Sequence, residues 1–201
     1  MLTSCFSFLV ILCILVYFYL MLDLHLKNKG IYSPIRHAVS DYGVGEYKYL
    51  FNWAGIVSTF RNIFLIGALI CWNYEAAFKE KAIWLLVLAL VGYFGIMVFP
   101  TDIEGSRKTI SGRLHLLFAI LQFTVLAIFL FQLTDVMSAL VPSLAVFFLA
   151  IEWLIKIGLY GLVAALILPF LKPFFGLLER IFLYASNIYI LIFCIILFQQ
   201  K

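Results

Sequence analysis

Six long apolar runs follow one another along the chain, at about residues 5–22, 50–72, 82–100, 113–133, 142–168 and 178–198. Each has close to the ~20 residues that an α-helix needs to cross the bilayer hydrocarbon. The runs are continuously apolar, whereas the strands of a membrane barrel would alternate. Lipid offers no partner to loose backbone N–H and C=O groups, so these runs are predicted as helices. The pattern therefore predicts an all-α fold: an integral membrane bundle of six transmembrane helices, forming one transmembrane domain over residues 1–201. No internal repeat, low-complexity tract or linker interrupts it. The fifth run is long enough to be tilted or broken. The first resembles a signal-peptide core, but no basic stretch precedes it and no small-residue cleavage site follows. It is read as a retained anchor.

Composition agrees with the pattern. Hydrophobic residues make up 66% of the chain and charged residues 12%, with a mean hydropathy of +1.13. A soluble domain carries about 25% charged residues, so the solvent expected here is lipid. The formal charge of +4 is accordingly read through the membrane loops and not as a nucleic-acid footprint. Membrane lipid is the expected partner. Cys5, Cys13, Cys71 and Cys194 lie in or beside apolar runs with no CxxC or Cys/His spacing, and read as small hydrophobes.

Six crossings put loops 1 (23–49), 3 (101–112) and 5 (169–177) on one face of the membrane. That face, with the adjoining helix ends, holds Lys27, Lys29, Arg36, Lys48, Arg107, Lys108, Arg113, Lys172 and Arg180. The other holds Lys79, Lys81 and Lys201. The imbalance favours a multipass protein of the inner (cell) membrane with loops 1, 3 and 5 in the cytoplasm.

The same three loops carry most of the candidate chemistry. In "SPIRHAVSDYGVG", residues 33–45, Ser33 suits an N-cap, Pro34 the first helical position and Gly43 the end. A short interfacial helix there would place His37, Ser40 and Asp41 at i, i+3 and i+4, on one face. Loop 3, "FPTDIEGSRKTISGRLH", brings Asp102 and Glu104 after the third run and His115 one turn into the fourth, with Ser111 four residues before it. Loop 5 leads to Glu179 and Arg180 at the start of the sixth run. Taken singly, each has a structural explanation: a cap, a charge at a helix N-terminus, or an arginine reaching for headgroups. Taken together, they predict one shared polar site.

The residues "H..SDYG" at 37–43, "FPTD..G" at 99–105, "T..G..H" at 109–115 and "GLLER" at 176–180 resemble a bacterial six-helix membrane family. That family is known only as domain of unknown function nine hundred and ninety-eight, and is distantly similar to the Frag1/DRAM/Sfk1 membrane proteins. The resemblance covers nearly the whole chain. It implies a six-helix fold but no established reaction.

Inside the spans, Arg61 falls near the middle of the second run with Asn62 beside it, and Glu152 and Lys156 lie four apart in the fifth. An arginine facing lipid at that depth costs about 2.5–3.5 kcal/mol on translocon scales. The economical expectation is an Arg61–Glu152 pair with Lys156 close by, joined by Ser186 and Asn187 as interhelical hydrogen-bond partners.

Three functions fit this sequence. The first is an enzyme acting on a lipid or lipid-linked substrate, with His37, Ser40, Asp41, Asp102, His115 and Glu179 as catalytic candidates. Arg180, Tyr42, Thr109 and Arg113 would contact substrate, the arginine holding a phosphate or carboxylate. A divalent metal at His37, Asp41, Asp102 and His115 is a weaker version, since no HExxH, HxH or CxxC spacing supports it. The second is a non-catalytic binder of a lipid headgroup or protein partner, in which the His and Asp groups only lock the loops. The third is a small transporter running through Arg61, Glu152 and Lys156; no repeat symmetry or paired broken helices favour it.

Overall fold

A computed structural model describes residues 1–102 and 107–199. Glu104, Gly105 and Lys201, which enter the sequence reading, lie outside the described residues. Six long helices are formed: α1 (Leu2–Lys27), α2 (Lys48–Cys71), α3 (Ala76–Val98), α4 (Ile110–Leu140), α5 (Ala145–Ile167) and α6 (Phe175–Gln199). Among the described residues these six are the helices long and apolar enough to cross a membrane. The protein is an all-α, integral, multipass membrane protein.

Several helices outrun the apolar runs that mark them. α1 continues through Lys27, where an Asp23–Lys27 pair at 3.0 Å, one turn apart, decorates its end. α4 spans 31 residues, about 46 Å at the usual rise, so it stands clear of a hydrocarbon layer of about 30 Å. Its start is fixed by Thr109, whose hydroxyl accepts from the Gly112 N–H at 3.0 Å. α3 stops two residues before Pro100, which cannot supply the N–H a further turn needs.

Each helix packs on the next in chain order, and α6 closes on α1, so the six form a ring, with α4 also touching α6 across it. The main apolar core fills the half of the ring away from loops 1, 3 and 5. There Val10 and Ile14 of α1, Leu65 and Leu69 of α2, Leu86 of α3, Leu130 of α4, Phe148 of α5 and Phe193 of α6 are all buried. The other half is less tightly filled. A smaller cluster of Tyr17, Met21, Leu24, Val39, Tyr42, Leu50 and Ala54 seats loop 1 against α1 and α2, and a cavity occupies the remaining space.

A short interfacial helix does form in loop 1, as a 3-10 helix over Val39–Val44. It begins later than the Ser33–Pro34 signal suggests. The His37 N–H bonds to the Ser33 carbonyl at 2.9 Å, closing one isolated turn before the chain extends at Ala38. His37 therefore sits outside the helix, while Ser40 and Asp41 sit in its first turn. The expected i, i+3, i+4 face of the three is not formed.

Candidate functional site

Loop 1 is held on α6 chiefly by Arg180, beside Glu179 and a backbone bond from the Leu177 N–H to the Ile35 carbonyl at 2.9 Å. Arg180, 5% exposed, donates from Nη1 to the carbonyl oxygens of Pro34 and His37, both at 2.8 Å, and of Gly176 at 2.9 Å. Nη2 donates to the Tyr42 hydroxyl at 3.1 Å, and Nε to His25 Nε2 at 3.0 Å. A guanidinium can only donate. His25 Nε2 is therefore an acceptor and Nδ1 carries the proton, which goes to the Met21 carbonyl at 2.6 Å. Next to the arginine, Glu179 Oε2 accepts the Val39 N–H at 2.6 Å. That N–H is the first in the 3-10 helix, which has no side-chain cap of its own.

Loop 3 is closed in the same way. Asp102 accepts from the Thr109 hydroxyl at 2.7 Å and from the Thr109 N–H at 3.0 Å. These two bonds, assisted by the charges of Arg113 and Lys108, hold its carboxyl below the ordinary aspartate value. Ser111 donates to the Pro100 carbonyl at 3.0 Å, and His115 Nδ1 donates to the Phe99 carbonyl at 2.8 Å. One turn of α4 thus bonds the carbonyls of the two residues that follow α3.

Below these loops lies a cavity of about 340 Å³ reached by all six helices. Its loop-side lining is polar: Ser40 and Asp41 from loop 1, Asp102 and Lys108 from loop 3, Arg113 and His115 from α4, and Glu179 from α6. Further in, the wall is mainly apolar, with Met21, Phe51, Met97, Phe123, Leu162 and Leu183, interrupted by Ser58, Tyr93 and Gln122. One side reaches the outer surface of the ring. Leu116 and Ile120 of α4 and Val163 and Leu166 of α5 line the cavity and are also 41%, 47%, 51% and 49% exposed. Gly158 and Gly161 bring the second half of α5 hard against α6, since a Cβ at Gly158 would stand 2.6 Å from the Phe182 backbone. A smaller pocket of about 190 Å³ adjoins the cavity and shares Ser40, Phe51, Thr101 and His115 with it.

The structure thus brings Ser40, Asp41, Asp102, Arg113, His115 and Glu179 around one space. It sends the other candidates elsewhere. His37 accepts the Ser33 N–H at Nδ1, 2.8 Å away, and packs edge-on against Tyr32. Tyr42 and Arg180 face each other inside the loop 1 joint, and Thr109 is spent on Asp102 and the α4 cap. Among the described residues no three His, Cys, Asp or Glu side chains gather as a metal site. The set His37, Asp41, Asp102 and His115 does not converge, because His37 and His115 each turn a ring nitrogen to the backbone of a different loop.

The expected Arg61–Glu152 pair is not formed. α2 and α5 are not neighbours in the ring. Glu152 instead forms an ion pair with Lys156 on its own helix, whose ammonium lies over the Phe131 and Trp153 rings. Arg61, 1% exposed, donates to Asn187 Oδ1 at 2.6 Å, to Asn62 Oδ1 at 2.9 and 3.1 Å, and to the Tyr93 hydroxyl at 2.9 Å. Of the two interhelical partners that the sequence suggested, Asn187 takes the role, while the buried Ser186 hydroxyl hydrogen bonds to no described residue. His25, Ser58, Tyr93 and Gln122 are functional-site neighbours that the sequence reading passed over. The signal for the last three was a lone polar side chain in an apolar helix, at helical spacings that turn it inward.

A family model described as "Protein of unknown function (DUF998)" matches residues 11–196. The chain belongs to this family. The matched stretch takes in part or all of every long helix and every residue that lines the cavity. No curated protein and no solved structure matches the chain.

Proposed function

We propose that the protein binds an amphiphile drawn from the membrane. Its polar group lies in the cavity beneath loops 1 and 3, and its hydrocarbon chain runs along the apolar wall toward the bilayer. One observation carries this reading: a single cavity joins polar side chains to a mainly apolar wall and is lined on its outer side by exposed residues of α4 and α5. Its size, about 340 Å³, falls in the range of about 300–1,000 Å³ usual for small-molecule sites. The cations at the same end support a mouth on the cytoplasmic side. Labelling of Arg36→Cys by an impermeant reagent in intact cells would contradict that sidedness.

The test is native mass spectrometry of the purified protein. Ala119 lines the cavity, so Ala119→Trp should cut the amount of copurified lipid at least fivefold without lowering helix content. Equal lipid occupancy in the variant would remove the reading.

A second reading, an enzyme performing acid/base hydrolysis or transfer on the bound lipid or lipid-linked substrate, has one observation in its favour. Ser40, Asp41, His115 and Glu179 line the same cavity as the apolar wall. It requires that labelled membrane lipid be converted by the wild type and left unchanged by Asp41→Asn.

A further inference from the structure

The floor of the cavity holds polar groups that neither loop uses. Gln122 on α4 and Ser58 on α2 are each 2% exposed and line the cavity. Neither side chain hydrogen bonds to a described residue, and their polar atoms are not among those sealed inside the protein. Gln122 lies seven residues past His115, about 10 Å deeper along α4. Tyr93, which also lines the cavity, accepts from Arg61 at 2.9 Å and keeps its own O–H to donate. Arg61 stands directly behind it, with its guanidinium carbon 5.9 Å from the Tyr93 ring centre.

The charge on Arg61 is the unusual element. Its partners are Asn62, Asn187 and Tyr93, all neutral. Among the described residues no carboxylate pairs with it. A guanidinium does not give up its proton, and a cation at this depth is costly unless something answers it. In surroundings of low dielectric its field reaches across the Tyr93 hydroxyl into the cavity. Hydroxyl and amide donors backed by a fixed positive charge make a site for an anionic oxygen.

We propose that this floor takes the anionic oxygen, carboxylate or phosphate, of the amphiphile bound in the cavity. Gln122 and Tyr93 donate to it, and Arg61 balances its charge from behind. The chain then leaves past Leu116 and Ile120 on one side and Val163 and Leu166 on the other. This rests on the amphiphile-binding reading above and names the chemical class of the ligand.

The experiment measures binding to the purified full chain in a non-ionic detergent with four probes: dodecanoate, dodecyl phosphate, dodecanol and inorganic phosphate. At least one anionic chain is expected to bind ten times or more tightly than dodecanol. Gln122→Leu and Tyr93→Phe should each weaken that probe about three- to tenfold and leave dodecanol unchanged. The Gln122 side chain hydrogen bonds to no described residue, so its variant tests the site even if Tyr93→Phe disturbs Arg61 and the fold. Dodecanol binding as well as the anions, or an unchanged Gln122→Leu, would overturn this inference alone. Inorganic phosphate binding as tightly as dodecyl phosphate would also overturn it, by making the ligand a free anion. No binding by any chain-bearing probe would overturn the amphiphile reading itself.

Discussion

The Glu179 carboxylate on α6 accepts the backbone N–H of Val39 in loop 1 at 2.6 Å, 140 positions away in sequence. A buried acid thereby caps a six-residue helix that has no cap of its own. Glu179→Gln keeps an acceptor at the same place and should leave thermal stability within a few degrees of the wild type. Glu179→Leu strands the N–H and should cost about 1–3 kcal/mol, read as a lowered denaturation midpoint in detergent.

Loop 1 passes close over Gly176 of α6. A Cβ there would stand 2.1 Å from the His37 carbonyl oxygen, which is backbone and is held by Arg180. Gly176→Ala should therefore lift loop 1 off α6 and break the Arg180 joint. Faster proteolysis within residues 33–45 is the expected readout, and protection equal to the wild type would show that the joint tolerates the shift.

Acid should loosen loop 3 through Asp102. Its folded carboxyl titrates below the ordinary value of 3.8 because Thr109 donates to it twice. The bonds therefore contribute fully above the unfolded value, and the contribution fades as pH falls through the lower, folded one. Wild type should be more stable than Asp102→Asn near neutral pH, and the two should converge as the medium is taken below that ordinary value. A difference that grows on acidification would contradict this assignment.

Arg61 should couple to Asn187 and not to Glu152. A double-mutant cycle of Arg61→Met with Asn187→Leu should give an interaction of about 1.5–3 kcal/mol, the worth of a hydrogen bond to a charged group. The same cycle with Glu152→Gln should be additive within about 0.5 kcal/mol.

The helices could be read from the sequence because a bilayer demands an uninterrupted apolar run wherever it is crossed. The convergence of Asp41, Asp102, His115 and Glu179 followed from counting crossings. What each residue does there did not. Arg180 reads as a phosphate holder when only its charge and position are known. Its tie to two loop 1 carbonyls depends on how loop 1 folds back, which no local signal encodes. The Arg61–Glu152 expectation failed because similar depth says nothing of angular position, and a ring in chain order separates α2 from α5. Asn187 was legible since a lone amide in a span seeks an interhelical partner. Gln122 carries the same signal, and that it faces a cavity without a partner among the described residues could be known only from the fold.

Occupation of the space between the helices by a membrane amphiphile can be read by photo-crosslinking with a lipid carrying a reactive group in its chain, followed by peptide mapping. Adducts are expected on the stretches around Ala119–Phe123 and Leu159–Val163, which line the cavity, and are expected to be lost in Ala119→Trp. Adducts confined to the outer surface, at residues such as Ile70 and Phe94 that are 60% and 70% exposed, and unchanged in that variant, would contradict it.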